Sequence, residues 1–152
     1  MPAAAYPGEM KRAEALQPLS REHQGALAVA KALSEAEDRE AAARTLLEFW
    51  RADGRRHFRI EEEVLLPGWA FVAEVDWAGA ERMLREHLEI RRQVLRTEAG
   101  EIDLDELRAL GRLLHDHVRY EERQLFPEVE AALGKADLDR LAAAIEVAEA
   151  AG

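Results

Sequence analysis

Two short words of the sequence recur and carry side chains able to hold a metal ion. His57-Phe58-Arg59-Ile60-Glu61-Glu62 runs on to Leu65-Leu66-Pro67, and sixty residues later His117-Val118-Arg119-Tyr120-Glu121-Glu122 runs on to Leu125-Phe126-Pro127. A second word, Arg21-Glu22-His23, returns as Arg85-Glu86-His87. Each half of the chain therefore offers two imidazoles and one carboxylate: His23, His57 and Glu61 in the first, His87, His117 and Glu121 in the second. Imidazole and carboxylate ligands suit iron, and also manganese, cobalt or zinc. Two matched sets are what a paired-metal centre needs.

The elements that must position these residues read as helices. Ala, Leu, Glu and Arg dominate, and all four are good helix formers. No alternating strand pattern is present. Residues 1 to about 17 read as an N-terminal arm with a short helical turn near its end. Ser20 caps a first helix running to about Ala36. A second covers about Asp38 to Leu66 and stops at Pro67-Gly68. A loop with Trp69 and Phe71 leads to Asp76, which caps a third helix from Trp77 to about Ala99, closed by Gly100. Asp103 caps a fourth from Leu104 to about Leu133, with a kink or new start expected at Pro127. Asp137 caps a short C-terminal helix of about residues 138–150. Short connections between four principal helices predict an all-α, antiparallel up-down four-helix bundle. The repeat makes it two pseudo-symmetric helical hairpins, with the bundle over about residues 16–133 of a single domain spanning 1–152.

Residues three and four apart share a helix face. The inward stripes are then Leu16, Leu19, His23, Leu27 and Ala30 on the first helix, and Leu46, Trp50, His57, Glu61 and Val64 or Leu65 on the second. On the third they are Ala80, Met83 or Leu84, His87, Ile90 and Val94, and on the fourth Leu107, Leu110, Leu114, His117, Glu121 and Leu125. All six candidate ligands fall on these stripes. A charged Glu in a core costs several kcal/mol unless it is paired or metal-bound. Two buried Glu and four buried His need a shared compensating charge, and a pair of cations supplies it. A lone inward histidine is more often a satisfied core residue than a ligand, and it is the recurrence of the whole set that points to metal. His115, about 200° round the helix from His117 and without a repeat partner, reads as a surface residue. Glu62 and Glu122 turn away from the stripes and read as groups that pair with neighbours.

Composition narrows the partners. The formal net charge is −10, so phosphate backbones and anionic membrane surfaces are repelled. There is no cysteine, hence no disulfide, thiolate zinc site or cysteine-held cluster from this chain. The first dozen residues hold Pro2, Pro7 and Gly8 and do not read as a signal peptide or membrane span. A cytoplasmic location is expected, with no nucleic acid, no membrane and no protein partner that can be named.

The order His23, His57-x3-Glu61, His87, His117-x3-Glu121 resembles the hemerythrin-like HHE cation-binding family over about residues 16–133. The resemblance implies a four-helix bundle around two non-haem iron ions. His23 and His57 would then serve one iron and His87 and His117 the other, with Glu61 and Glu121 bridging beside an oxo or hydroxo group. Oxygen-carrying hemerythrins have a fifth histidine where this chain has Arg91, so each iron would keep one position for water or a ligand. Arg91 either sits beside the centre and favours an anionic ligand such as peroxide, or carries its charge out to water. The four-His, two-Glu set is more similar to di-iron proteins that handle nitric oxide or repair iron centres. The repair proteins usually carry a cysteine-bearing N-terminal module, which this sequence lacks. The ferritin-like Glu-x-x-His word is a poorer match than His-x3-Glu.

Two classes of function follow. One is a binding protein that takes up or senses O2 or NO at the bundle centre. The other is a di-iron redox enzyme acting on peroxide or nitric oxide. Iron storage or delivery, or a purely structural metal site, are further alternatives. Each involves a small diatomic or peroxide ligand, iron, or no ligand at all; no organic substrate is indicated.

Overall fold

The structure, a computed structural model, describes residues 11–152. The first ten residues of the expected N-terminal arm lie outside the described part. From residue 11 the arm is tied down: Arg12 donates to Glu130 at 2.7 Å and the Ala13 N–H to the same carboxylate at 2.6 Å. A 3-10 turn, Glu14–Leu16, leads into helix α1, Gln17–Ser34. That start is three residues earlier than expected. Pro18 sits in the first turn, where its fixed φ suits a helix and its missing N–H costs nothing. Ser20 is inside the helix, and its hydroxyl donates instead to Glu122 at 2.7 Å.

Helix α2 runs without a break over residues 39–72, capped by Asp38, whose side chain accepts from the Ala41 N–H at 3.1 Å. It does not stop at Pro67. Two wide turns with i→i+5 bonding, Trp50–Gly54 and Glu61–Leu65, interrupt its α-helical segments. The second ends with the Leu66 N–H reaching back to Glu61 O. It widens the helix just where the ring of Pro67 would otherwise meet the carbonyl of the preceding turn. The segment Leu66–Val72 then continues, with Trp69 buried and Phe71 exposed, so only residues 73–76 remain as connection.

Helix α3 is Trp77–Glu98, capped by Asp76 as expected. Gly100 follows it at φ +72°, a conformation that side chains disfavour. Helix α4, residues 104–132, opens on a capping box between Asp103 and Glu106. It repeats the device of α2: a wide turn, Glu121–Leu125, precedes a new α segment, Phe126–Ala132, with Pro127 in its first turn. Helix α5, Lys135–Ala151, starts two residues before Asp137, which lies in its first turn rather than at its cap. It packs Leu141 and Ile145 against Leu16, Leu65 and Val129 of its own chain.

The four long helices form an antiparallel bundle. Along α1 and α4 the contacts run in opposite senses, from Ser20 with Glu122, through His23 with Glu121, to Ala36 O with Arg108. Gly111 lets these two helices touch closely, since a Cβ there would lie 2.6 Å from the backbone at Ala30 and Ser34. Arg51–Glu98 and Glu62–His87 fix the same reversal for α2 and α3, and Arg96–Glu106 and Glu86–His117 for α3 and α4.

The core is two apolar clusters with a polar layer between them. One gathers Leu19, Leu65, Met83 and Leu125. The other gathers Ala26, Trp50, Ile90 and Leu114. His23, His87, and the pairs His57/Glu61 and His117/Glu121 fall between these residues on their respective helices. The inward stripes differ from the expected ones at a single position, Ala26 rather than Leu27 being buried on α1; of the alternatives left open on α2 and α3, Leu65 and Met83 are the buried ones. No described helix is long and apolar enough to cross a membrane.

Candidate metal centre

All six residues singled out by the repeat meet in the polar layer, none more than 6% exposed, and Glu61 and Glu121 at 0%. They form two overlapping groups: His23, His57, Glu61 and Glu121; and His87, His117, Glu61 and Glu121. In each group one ligand atom per residue lies within 4.8 Å of the others. The two carboxylates are common to both. Glu61 sets Oε2 3.0 Å from His57 Nε2 and Oε1 3.1 Å from His87 Nε2. Glu121 sets Oε1 2.9 Å from His23 Nε2 and Oε2 3.0 Å from His117 Nε2. Each carboxylate therefore spans the two histidine pairs.

The outer nitrogens of the four rings are all held. His23 Nδ1 pairs with Glu122 at 2.6 Å, His57 Nδ1 with Glu22 at 2.7 Å, His87 Nδ1 with Glu62 at 2.6 Å, and His117 Nδ1 with Glu86 at 2.8 Å. A carboxylate only accepts, so each Nδ1 carries the proton and each neutral ring turns its Nε2 lone pair inward. The pattern obeys the repeat. The Glu before one histidine, Glu22 or Glu86, holds the histidine of the next helix. The Glu after each spanning carboxylate, Glu62 or Glu122, holds the histidine of the other half.

This arrangement fits a cation. His23 and His57 bring Nε2 to Nε2 at 3.1 Å, and so do His87 and His117. Neutral rings would face lone pair to lone pair. Glu61 Oε1 and Glu121 Oε2 are buried without a hydrogen-bond partner, although His87 Nε2 lies 3.1 Å from the first and His117 Nε2 3.0 Å from the second. Buried acceptors aimed at a common space require positive charge there. Without a metal, protons must supply it. Burial alone would lower the pKa of His57, but the Glu61 charge and the bonds to Glu22 and Glu61 outweigh it and raise the pKa to about 9. For His23 and His87, burial again opposes, and bonds to the surrounding glutamates lift both well above the usual imidazole range; His117 is also raised. Burial and the neighbouring Glu121 would raise Glu61, yet His57 and His23 bring it down to about 2.

Sequence reading had Glu62 and Glu122 as neighbour-pairing groups but missed Glu22 and Glu86. The signal was present in the conserved spacing of the Arg-Glu-His words within this one chain. Removing one such support, as in Glu86→Gln, is expected to weaken metal binding by roughly 10–100-fold, since these partners fix the ring and raise its basicity. Competition against a chelator measures it, and unchanged affinity would show that Glu86 merely solvates His117.

Arg91 does not reach the centre. Its guanidinium pairs with Glu62 and lies 5.7 Å from the Phe58 ring, which stacks on His87 at 3.8 Å. Arg12 stands in the same relation to Glu122 and to Phe126, which stacks on His23. Both arginines act on the rings through a carboxylate and an aromatic face. His115 is exposed, and its Nδ1 lies 3.1 Å from the carboxylate of Asp116, its neighbour in sequence.

The hemerythrin HHE cation-binding domain model matches residues 14–129. The chain belongs to the hemerythrin HHE cation-binding family. No curated protein and no solved structure matches it. Family membership and the buried His/Glu clusters together make this a metal-binding hemerythrin-like protein.

Proposed function

We propose that the hemerythrin-like centre holds two iron ions and binds or senses O2 or NO. His23 and His57 would hold one ion, His87 and His117 the other, with Glu61 and Glu121 shared. The observation that carries the reading is the division of each buried carboxylate between the two histidine pairs. A di-iron pair, when bound, supplies two oxidation states and an exchangeable position for a diatomic ligand.

The surroundings limit what can enter. Beside His23, His57 and His117 is a cavity of about 10 Å³, bounded also by Phe58, Leu114 and Val118. That is close to the smallest space able to take one water-sized molecule. An organic substrate has no room, and the apolar wall offers little to a polar one. The chain's glutamates keep every Nδ1 occupied, so the rings are anchored rather than free to shuttle protons. These features favour ligand binding over turnover of peroxide or nitric oxide.

Elemental analysis of protein made without added metal is expected to return about two irons per chain, as in other di-iron bundles. Reduced, iron-loaded protein mixed with O2 or with NO should then give a stable optical band that reverses on removing the gas. Rapid return to the oxidised form, with peroxide formed or consumed, would establish the redox enzyme instead. Zinc in both positions would end the proposal.

A further inference from the structure

Five of the six large hydrophobic side chains exposed among the described residues lie on α3 or the last turn of α2: Phe71, Trp77, Leu84, Leu88 and Leu95. Trp77 is 68% exposed, Leu88 69% and Leu95 66%. Their exposure is not the scatter of a normal surface. At 100° per residue, positions 77, 84, 88 and 95 fall within about 40° of one another and make one straight seam along α3. A shallow apolar groove of about 570 Å³, walled by Leu66, Pro67, Ala70 and Val75, runs beside its first half. Contiguous apolar surface of this kind marks an interaction site.

The spacing identifies the partner. The intervals along the seam are seven, four and seven residues, the same read from either end. A second α3 laid antiparallel, with its midpoint at residue 86, sets Trp77 against Leu95 and Leu84 against Leu88, each contact occurring twice. The charges agree with that register. Exposed Glu81 and Arg92 both lie about 40–60° to the same side of the seam. A twofold axis across the pair preserves that side, so Glu81 of one copy meets Arg92 of the other. A parallel twofold pairing would put the Glu81/Arg92 flanks of the two copies on opposite sides of the seam, so that neither residue meets its counterpart or the other.

We propose that the α3 seam is the interface of an antiparallel, twofold-symmetric dimer of this chain. Self-complementarity of one patch is the defining property of such an interface. Each chain carries a net charge of −10, so association depends on the apolar seam and its two Glu81–Arg92 pairs against general repulsion. Arg91 flanks the seam on the opposite side, and through Glu62 it touches His87. The dimer would therefore cover the α3 side of the metal centre.

Sedimentation of the full, metal-loaded chain tests this. A dimer is expected at about 100 µM chain, a concentration that detects even weak association. Leu84→Glu/Leu88→Glu should be monomeric with unchanged metal content. Glu81→Arg alone and Arg92→Glu alone should each weaken the dimer by about tenfold or more, through two like-charge contacts apiece. Combining the two should restore it. Should the double-leucine variant lose helix content, the charge exchange alone decides. A monomer at every concentration, a dimer that survives Leu84→Glu/Leu88→Glu, or a combined charge exchange that fails to restore association would each overturn the proposal.

Discussion

Glu121→Ala is expected to empty the centre of metal and to lower the stability of the metal-free fold by about 3–5 kcal/mol, the usual cost of removing one partner from a buried ion pair. The residue is fully buried, and its two oxygens lie 2.9 Å from His23, 3.0 Å from His117 and 3.4 Å from His87. No other side chain is shared so evenly between the histidine pairs except Glu61. Without Glu121, four crowded imidazoles face one carboxylate, and protonating them no longer brings compensation. His57→Ala is expected to act more locally, weakening the position it shares with His23. His115→Ala supplies the contrast, because its side chain is half exposed and pairs with the exposed Asp116. Elemental analysis reads metal content and urea unfolding reads stability. Equal losses in all three variants would refute the assignment of His57 and Glu121, and not His115, to the metal centre.

The repeat made the six inner residues readable before any coordinates, because side chains three and four apart must share a helical face. Burial then singled out the histidines that also recur. Two layers of the structure could not be read that way. The wide turns at Glu61 and Glu121 change which backbone N–H meets which carbonyl, a property the helical period does not report. On α2 they leave Leu65 rather than Val64 inward, a choice that the helical period alone leaves open. They also let α2 run through Pro67, where proline alone predicts a stop. In hindsight, the identical placement of Glu, Leu and Pro after each His-x3-Glu word marks them. The Nδ1 partners are the second layer. Glu22 holds a histidine on α2 and Glu86 one on α4, contacts between helices that spacing within one helix cannot show. Arg91 belongs with them. The sequence leaves open whether it sits beside the centre or carries its charge out to water, and Glu62 holds it outside.

Removing the metal should make stability fall as pH rises from about 6.5 to 9, while the loaded protein stays level. In the metal-free fold His57 has its pKa raised from 6.5 to about 9. Between those values the native state keeps a proton that the unfolded chain has lost, so its stabilising effect is complete below 6.5 and gone above about 9. For His57 alone the difference amounts to roughly 3 kcal/mol. His23, His87 and His117 shift in the same direction and deepen the loss. Glu61 works in the opposite sense. Its pKa is lowered from 4.5 to about 2, so its contribution is present above 4.5 and disappears as pH falls toward 2. Metal-free protein is therefore most stable between about 4.5 and 6.5. Bound cations replace these protons, since a histidine ligand must be neutral, and metal affinity climbs through the range in which the metal-free fold weakens. The gap between the melting temperatures of loaded and chelator-treated protein should accordingly widen from neutral to alkaline pH. Melting curves at three pH values across this window, with and without chelator, make the comparison. A gap that is absent or constant would mean that the buried charges are balanced by something other than protons and metal.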